Sequence, residues 1–338
     1  MFDTAPAAKP PSDLPQARCF NDIGLACMHS DLAEKERNVH FMMRSCPYGS
    51  TSHGYADQNA FILHAYGEPL AIASGYYPWY ASPHHKNWTW ETKATNSLLV
   101  DGEGQKVRSW DSKGRIVQFA TTDYAHYAWG DAHLAYPDRL KRFDRHALYL
   151  RPVVAGDEPV IILWDHIEAV KPATYQWLLH ALEQMDVDTA NEVVTIKHNA
   201  ARLAVRFLAP QGLQLTQTDQ FTVPPEADFN KLGNQWHLTA ATAQPSATQS
   251  FVTVLLPYHA DGEQSLPTTR LLNVEGCIAL EIKSPRSRQL AFFRTTAPQG
   301  TPLRFEGLET SADVFAALSD PQNKRLAEFT VNWRDGGG

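Results

Sequence analysis

Short apolar or alternating segments recur along almost the whole chain. Each is bounded by Gly, Pro, Asp or Asn, a pattern typical of β-strands. In the first half these predicted strands are 39–44, 60–66, 96–101, 116–121, 146–151, 160–167 and 175–181. In the second half they are 193–198, 203–208, 235–239, 251–256, 277–282, 289–294 and 303–305. The spacing leaves too little chain between strands for crossover helices, which favours antiparallel pairing.

The number of strands predicts an all-β fold, a large antiparallel two-layer β-sandwich, because open single sheets of that size usually split into packed layers. Helical patterns are confined to 311–318 and 31–37. Residues 1–18, rich in Pro and Ala, are predicted to be a flexible tail. We expect 19–240 to form the sandwich, and 241–338 either to continue it or to form a small C-terminal β domain.

Composition narrows the functional class. The 338 residues are 43% hydrophobic, enough for a substantial core, and the formal charge of −7 gives no basic footprint for nucleic acid. No apolar stretch is long enough to span a membrane, and the N-terminus shows no signal-peptide pattern. The four cysteines lack metal or redox spacing and are expected to be free thiols.

Two segments concentrate side chains suited to chemistry. In the first, His53, Tyr55, Asp57 and Asn59 alternate, so an extended backbone would project them to one side. They form either a satisfied polar network at a turn or the floor of a site.

The second segment, 75–105, combines aromatic rings, imidazoles and lysines in a long irregular stretch. Rings with polar tips suit stacking against sugars, although the same rings would also serve to plug one end of a sandwich. The residues singled out here are Tyr77, Trp79, Tyr80, His84, His85, Trp88, Trp90 and Lys93. GxSxG, P-loop and HExxH motifs are absent from the sequence.

These blocks carry a family resemblance. The stretch SHGYADQNAFILHAYGEPLAIASGYY, then SPHHKNWTWETKATNSLLVDGEGQ, WGDAHLAY and RLKRFDRHALYLRP, resembles the heparinase II/III-like polysaccharide lyases over residues 20–170. The resemblance implies a large antiparallel β-sandwich that follows an N-terminal α/α toroid. This chain resembles only the sandwich portion. It also implies cleavage of uronate-containing polysaccharides by elimination.

The resemblance further implies site roles. His53 matches the first His of the family's HxHAD block and would act in proton transfer or carboxylate neutralisation. Tyr80, with Tyr77 as second choice, would act in proton transfer. Substrate binding would fall to Tyr55, Asn59, Trp79, His84, His85, Trp88, Trp90 and Lys93.

In zinc-bearing relatives the metal ligands stand at positions that read Tyr55, Ala73 and Thr95 here. Because these are poor zinc donors, we expect no zinc and no cofactor.

The sequence therefore predicts a polysaccharide lyase, or its sandwich portion. A non-catalytic carbohydrate-binding or assembly module derived from such a lyase remains the alternative. The expected partners are an acidic polysaccharide or oligosaccharide and a toroid domain or partner chain, with neither nucleic acid nor membrane. The resemblance suggests a periplasmic or secreted protein, and the localisation stays open.

The basic cluster Arg139, Lys141, Arg142 and Arg145 would either contact glycan or keep a strand edge soluble.

Overall fold

The structure, a computed structural model, describes residues 9–231 and 233–333. Its first strands are β1 (Ala17–Phe20), β2 (Leu25–His29), β3 (Val39–Arg44), β4 (Ala60–Ala65), β5 (Glu68–Ala71), β6 (Leu98–Val100), β7 (Arg115–Thr121) and β8 (Ala125–Asp131). The middle strands are β9 (Leu140–Leu150), β10 (Val160–Ala173), β11 (Tyr175–Ala181), β12 (Asp186–Asp188), β13 (Val193–His198), β14 (Ala201–Ala209), β15 (Gln214–Thr218) and β16 (Trp236–Ala241). The last strands are β17 (Ser246–His259), β18 (Thr268–Leu272), β19 (Cys277–Lys283), β20 (Arg288–Arg294), β21 (Leu303–Phe305), β22 (Leu308–Thr310), β23 (Val314–Ser319) and β24 (Arg325–Val331).

Helical turns are short. One is a π-helical turn, His85–Thr89, and the others are 3-10 turns at Asn21–Ile23, Thr92–Ala94, His133–Ala135, Ala227–Phe229 and Ala260–Ser265. No helix in the described part of the chain has the length and apolar character needed to cross a membrane.

Three layers make up the molecule. The first combines a five-stranded sheet, β1-β2-β3-β4-β5, with a four-stranded sheet, β15-β16-β11-β6. The two meet where Phe61 bridges to Asn96 and where Ile72 N donates to His180 O at 3.1 Å. The second layer is an eight-stranded sheet, β12-β13-β14-β17-β10-β9-β8-β7, and the third a five-stranded sheet, β18-β19-β20-β23-β24. All strand pairs in these sheets are antiparallel, as predicted.

The eight-stranded sheet lies in the middle and is covered on both faces. In β10, Ile161 and Leu163 face the first layer, while Ile162 and Trp164 face the C-terminal sheet. This explains why β10 reads as a nearly continuous apolar run instead of a strict alternation. The expected two-layer sandwich is thus present, with a third β layer packed on its outer face.

The C-terminal layer corrects one sequence expectation. Residues 311–318, predicted as a helix, contain strand β23 instead. Val314 and Ala316 pack against the eight-stranded sheet, and Phe315 and Ala317 against the hairpin β21–β22. Because both faces of β23 are buried, its sequence lacks the alternation that marks a half-exposed strand. The other predicted helix, 31–37, is a series of turns.

The structure also bears on the predicted N-terminal tail and on the expected boundary near residue 240. Of the predicted tail, residues 1–8 lie outside the described residues, and Ala17 already pairs with Met28. Strand β17 lies inside the eight-stranded sheet between β14 and β10, so residues 246–259 continue the sandwich. The separate C-terminal sheet begins at Thr268.

The basic cluster is not an edge feature, because β9 is flanked by β8 and β10. Arg145 is fully buried and forms a two-pronged ion pair with Asp165, with Nε–Oδ1 at 2.6 Å and Nη2–Oδ2 at 2.8 Å. Its Nη1 donates to the carbonyls of Asn59 and Asn96 at 2.7 and 2.9 Å. Arg145 is therefore a core residue that ties the layers together, and it is not available to glycan.

Candidate functional site

Three loops meet at one end of the first layer. They are 45–59, between β3 and β4; 72–97, between β5 and β6; and 101–114, between β6 and β7. The side chains that converge there are His53, Tyr77, Tyr80, His85, Trp90 and Arg108. We call this group the aromatic site.

His53 and Tyr80 lie side by side at the surface. Their ring centroids are 5.0 Å apart, and Tyr77 lies 6.4 Å from His53. His53 is exposed, and Tyr77 and Tyr80 are 46% and 42% exposed. Within the described residues, neither ring nitrogen of His53 has a hydrogen-bond partner. An imidazole and two phenols are therefore open to a ligand on the same surface.

His85 and Trp90 form the buried floor of this group. The His85 ring lies 4.5 Å from that of Tyr77, 5.8 Å from that of Tyr80 and 4.7 Å from that of Trp90. Its Nδ1 accepts from the backbone N of Ala81 at 3.1 Å, which fixes the turn that carries Tyr80. Burial lowers the pKa of His85 and keeps the ring neutral. His85 thus supports the surface phenols instead of facing solvent.

Arg108 was not singled out from the sequence, yet it contacts the site directly. Its Nη1 donates to Tyr80 Oη at 3.0 Å, and its guanidinium lies 4.3 Å from the centre of the Trp90 ring. Since Arg108 bonds to the lone pair of the phenol oxygen, the hydroxyl proton of Tyr80 stays free to point elsewhere.

Buried hydrogen bonds hold loop 72–97 in place. His84 donates from Nδ1 to Val223 O at 2.6 Å and accepts from Tyr76 N at 3.1 Å through Nε2. Both nitrogens are used and the ring is buried, so His84 positions the loop and does not offer a nitrogen to ligand. Gly75 has φ +110°, and a Cβ there would lie 2.4 Å from Thr89 Cγ2. Only glycine fits at this position.

Loop 45–59 does not have the extended backbone assumed from its alternation. Gly54 N donates to Thr51 O and Ala60 N to Asp57 O, and Asn59 has φ +56°. Asn59 is buried, and its side-chain amide donates to Gly130 O and Phe143 O at 3.0 Å each. Because of these turns, the side chains of His53, Tyr55, Asp57 and Asn59 do not share one face as predicted.

The other two polar residues of that segment have different surroundings. Asp57 forms an ion pair with Arg44. The Tyr55 ring packs edge-on against His85 at 6.0 Å, where burial raises the pKa of its phenol. Of the alternating residues, His53 belongs to the aromatic site, Tyr55 packs against it, and Asn59, expected to bind substrate, is instead part of the buried framework.

The other residues singled out from 75–105 divide between surface and interior. Trp79 directly precedes Tyr80 in the sequence and is 49% exposed. Its ring lies 6.2 Å from that of Phe229. Trp88 is buried, and its indole N–H donates to Ser74 Oγ at 3.3 Å. Lys93 pairs with Glu91 at 2.6 Å. Of these, Trp79 offers a free ring face at the surface.

Two of the three positions that the family resemblance matches to zinc ligands, Ala73 and Thr95, offer no free donor atom. Ala73 has no donor atom in its side chain, and Thr95 is buried with Oγ1 donating to Thr92 O at 2.9 Å. In the described part of the chain, no group of three or more His, Cys, Asp or Glu side chains is placed to hold a metal ion. The expected absence of zinc stays a prediction.

The aromatic site thus presents an imidazole, two phenols and a guanidinium on one exposed face. The family model "Heparinase II/III-like, C-terminal" matches residues 12–272. This chain belongs to the heparinase II/III-like family. The match covers the first layer, the eight-stranded sheet and the first strand of the C-terminal sheet.

Solved structures of this family share the fold. A heparan sulfate lyase from Pedobacter heparinus has a TM-score of 0.65 at 15% identity, covering 84% of this chain and 43% of that one. A heparinase III gene product has a TM-score of 0.67 at 12% identity, covering 83% of this chain and 43% of that one. Another heparinase III structure gives 0.61 at 14% identity, with 89% and 42% covered.

At such identities the likeness establishes the fold alone. The chain spans less than half the length of these structures. Among curated proteins, none matches the sequence.

Proposed function

We propose that this chain is the sandwich portion of a polysaccharide lyase that cleaves uronate-containing glycans by β-elimination. The observation that carries the proposal is the exposed pair His53 and Tyr80, with ring centroids 5.0 Å apart. Membership of the heparinase II/III-like family supports it, since the similar structures are named heparan sulfate lyase and heparinase III.

The reaction defines what the two groups would do. A base removes the proton from C5 of the uronate, and the electron pair forms the C4–C5 double bond. The O4 leaving group departs with a proton from an acid. His53 is suited to the base role because its nitrogens are free of hydrogen bonds to the described residues. Tyr80 is suited to the acid role because Arg108 occupies the lone pair of its oxygen and leaves the proton available.

The surface around the pair suits a sugar chain. Tyr77 exposes a phenol ring next to His53, and Trp79, two residues further along the same loop, exposes an indole face. Such amphipathic rings stack on sugars while the hydroxyl groups of the sugars remain hydrated. The groups of a toroid domain or partner chain would complete the site from the opposite side.

The test is an elimination assay on the purified chain. Alginate, heparan sulfate, chondroitin and hyaluronan are each incubated with the protein, and the ultraviolet absorbance of the unsaturated uronate product is followed. We expect the absorbance to grow with at least one glycan. In His53→Ala and in Tyr80→Phe the rate of this growth should be lower by about 100-fold or more. Tyr48→Phe is the matched control, because Tyr48 is an exposed tyrosine with no ring contact to the aromatic site.

The alternative is a non-catalytic carbohydrate-binding module derived from such a lyase. The openness of the aromatic site on one side favours it, since the described residues provide no second wall over His53. Binding to these glycans without any growth in absorbance would contradict elimination by this chain and support the module. Equal rates in wild type and His53→Ala would remove His53 from the reaction.

A further inference from the structure

Arg108 stands in a backbone conformation that an arginine rarely adopts. Its φ is +52°, in the left-handed region, and Ser50 fixes the turn around it. The Ser50 hydroxyl donates to Lys106 O at 2.8 Å and accepts from Ser109 N at 3.2 Å. Ser50 itself is 1% exposed, so this clamp is part of the interior. Non-glycine residues held in such conformations concentrate at functional sites.

The guanidinium of Arg108 forms no ion pair with the described residues. Three cations around these loops have carboxylate partners: Arg44 has Asp57, Lys93 has Glu91, and Arg115 has Asp131. Three lysines of the loops, Lys86, Lys106 and Lys113, have no ion pair among the described residues, and Arg108 differs from them because it is held against the aromatic site. Within the described residues, Arg108 has no carboxylate within ion-pair distance. It contacts the neutral groups Tyr80 and Trp90 instead.

Stacking on Trp90 holds the guanidinium beside the exposed His53–Tyr80 pair. A planar guanidinium with free N–H groups binds carboxylates in a two-pronged geometry, and pre-positioning reduces the entropy lost on binding. Trp90 adds an apolar wall, since it is 4% exposed, and its indole N–H has no hydrogen-bond partner among the described residues. A second buried donor without a partner, His85 Nε2, lies under the same surface.

We infer that Arg108 binds the uronate carboxylate of an acidic glycan and thereby selects acidic over neutral sugars at the aromatic site. The inference rests on the proposed function for the reaction, because removal of the C5 proton requires that the adjacent carboxylate be neutralised. It assigns this role to a residue of this chain, on the side of the site formed by loop 101–114.

The experiment is calorimetric titration of the purified chain with paired ligands. Hyaluronan and alginate oligosaccharides carry carboxylates and no sulfate, and each is compared with the same oligosaccharide after reduction of its carboxylates to hydroxymethyl groups. We expect wild type to prefer the acidic member. Arg108→Gln should lower affinity for it by about 10- to 100-fold and leave the affinity for the reduced member unchanged. Arg108→Lys should fall between, since it keeps the charge without the planar fork.

Arg304→Gln is the matched control. It removes the same charge from the exposed hairpin of β21 and β22, where Arg304 pairs with Glu309. An equal loss of affinity for acidic and reduced ligands in Arg108→Gln would indicate a packing role and overturn the inference. Affinity that follows the sulfate content of heparan sulfate, or no binding of any acidic glycan by wild type, would overturn it as well.

The elimination assay separates this inference from the proposed function. Carboxylate-dependent binding that is lost in Arg108→Gln, without elimination by wild type, would refute the function and retain the inference. Wild-type elimination that is unchanged in Arg108→Gln would refute the inference and retain the function.

Discussion

Replacing Arg145 by methionine should destabilise the fold more than any exposed substitution. Arg145 and Asp165 are 0% and 1% exposed at their side chains, and their ion pair lies between the layers. The substitution removes both bonds to Asp165 and both bonds to the carbonyls of Asn59 and Asn96. Asp165 keeps one partner, the indole N–H of Trp177 at 3.0 Å.

The expected magnitude follows from the carboxylate left behind. Removing one partner of a buried ion pair lowers the free energy of unfolding by about 3–5 kcal/mol. The total stability of a domain is about 5–15 kcal/mol, so the loss is a large part of it. Arg304→Met is the control. Arg304 is 79% exposed and pairs with the exposed Glu309 at 2.9 Å, so we expect a loss below about 1 kcal/mol.

Urea unfolding at neutral pH, followed by tryptophan fluorescence and far-ultraviolet circular dichroism, measures the difference. Hydrogen exchange should also quicken in residues 45–60, because Arg145 anchors the carbonyl of Asn59. The double variant Arg145→Met/Asp165→Leu should recover part of the loss, since it leaves no unpaired charge at this buried position. A loss below about 1 kcal/mol in the single variant, or additive losses in the double variant, would refute the role we assign to this pair.

Two further predictions concern the buried histidines and the backbone at Gly75. Burial is the largest cause that lowers the pKa of His126 and of His237 to about 4, so the folded state keeps both rings neutral while the unfolded chain binds protons below its usual histidine pKa. The free energy of unfolding should therefore fall as pH drops from about 6.5 towards 4, and a Tm that is constant from pH 7.5 to 5 would contradict this. Gly75→Ala should lower the free energy of unfolding by about 2 kcal/mol or more, because the added Cβ would overlap with Thr89. Gly212→Ala is the control: Gly212 also has a positive φ, +78°, but has open space around the Cβ, so the loss should be about 1 kcal/mol. Equal losses in thermal unfolding would count against the overlap.

The site shows where prediction from the sequence ends. His53, Tyr77 and Tyr80 were singled out because their residue types suit proton transfer, and they lie together in the structure. Arg108 was missed because it is separated by 28 residues from Tyr80 along the chain, and no local pattern marks it. The burial of His84 was missed because its partner, Val223, is 139 residues away.

The fold shows the same boundary. Strands such as β3 and β13 follow from local periodicity, because alternation reports which side of a segment is buried. Strand β23 was misassigned because both of its faces are covered, by β layers that the pattern does not identify.

The sequence by itself determined that the chain is built from antiparallel β-strands and that its aromatic and imidazole side chains are concentrated between β3 and β6. These properties depend on residue type and on neighbours a few positions away. Only the tertiary structure decided that a third layer covers the sandwich, that Arg145 is buried, and that Arg108 reaches Tyr80. Those outcomes depend on contacts between residues far apart along the chain, such as Ser50 with Ser109 and Arg145 with Asn59, which no local pattern reports.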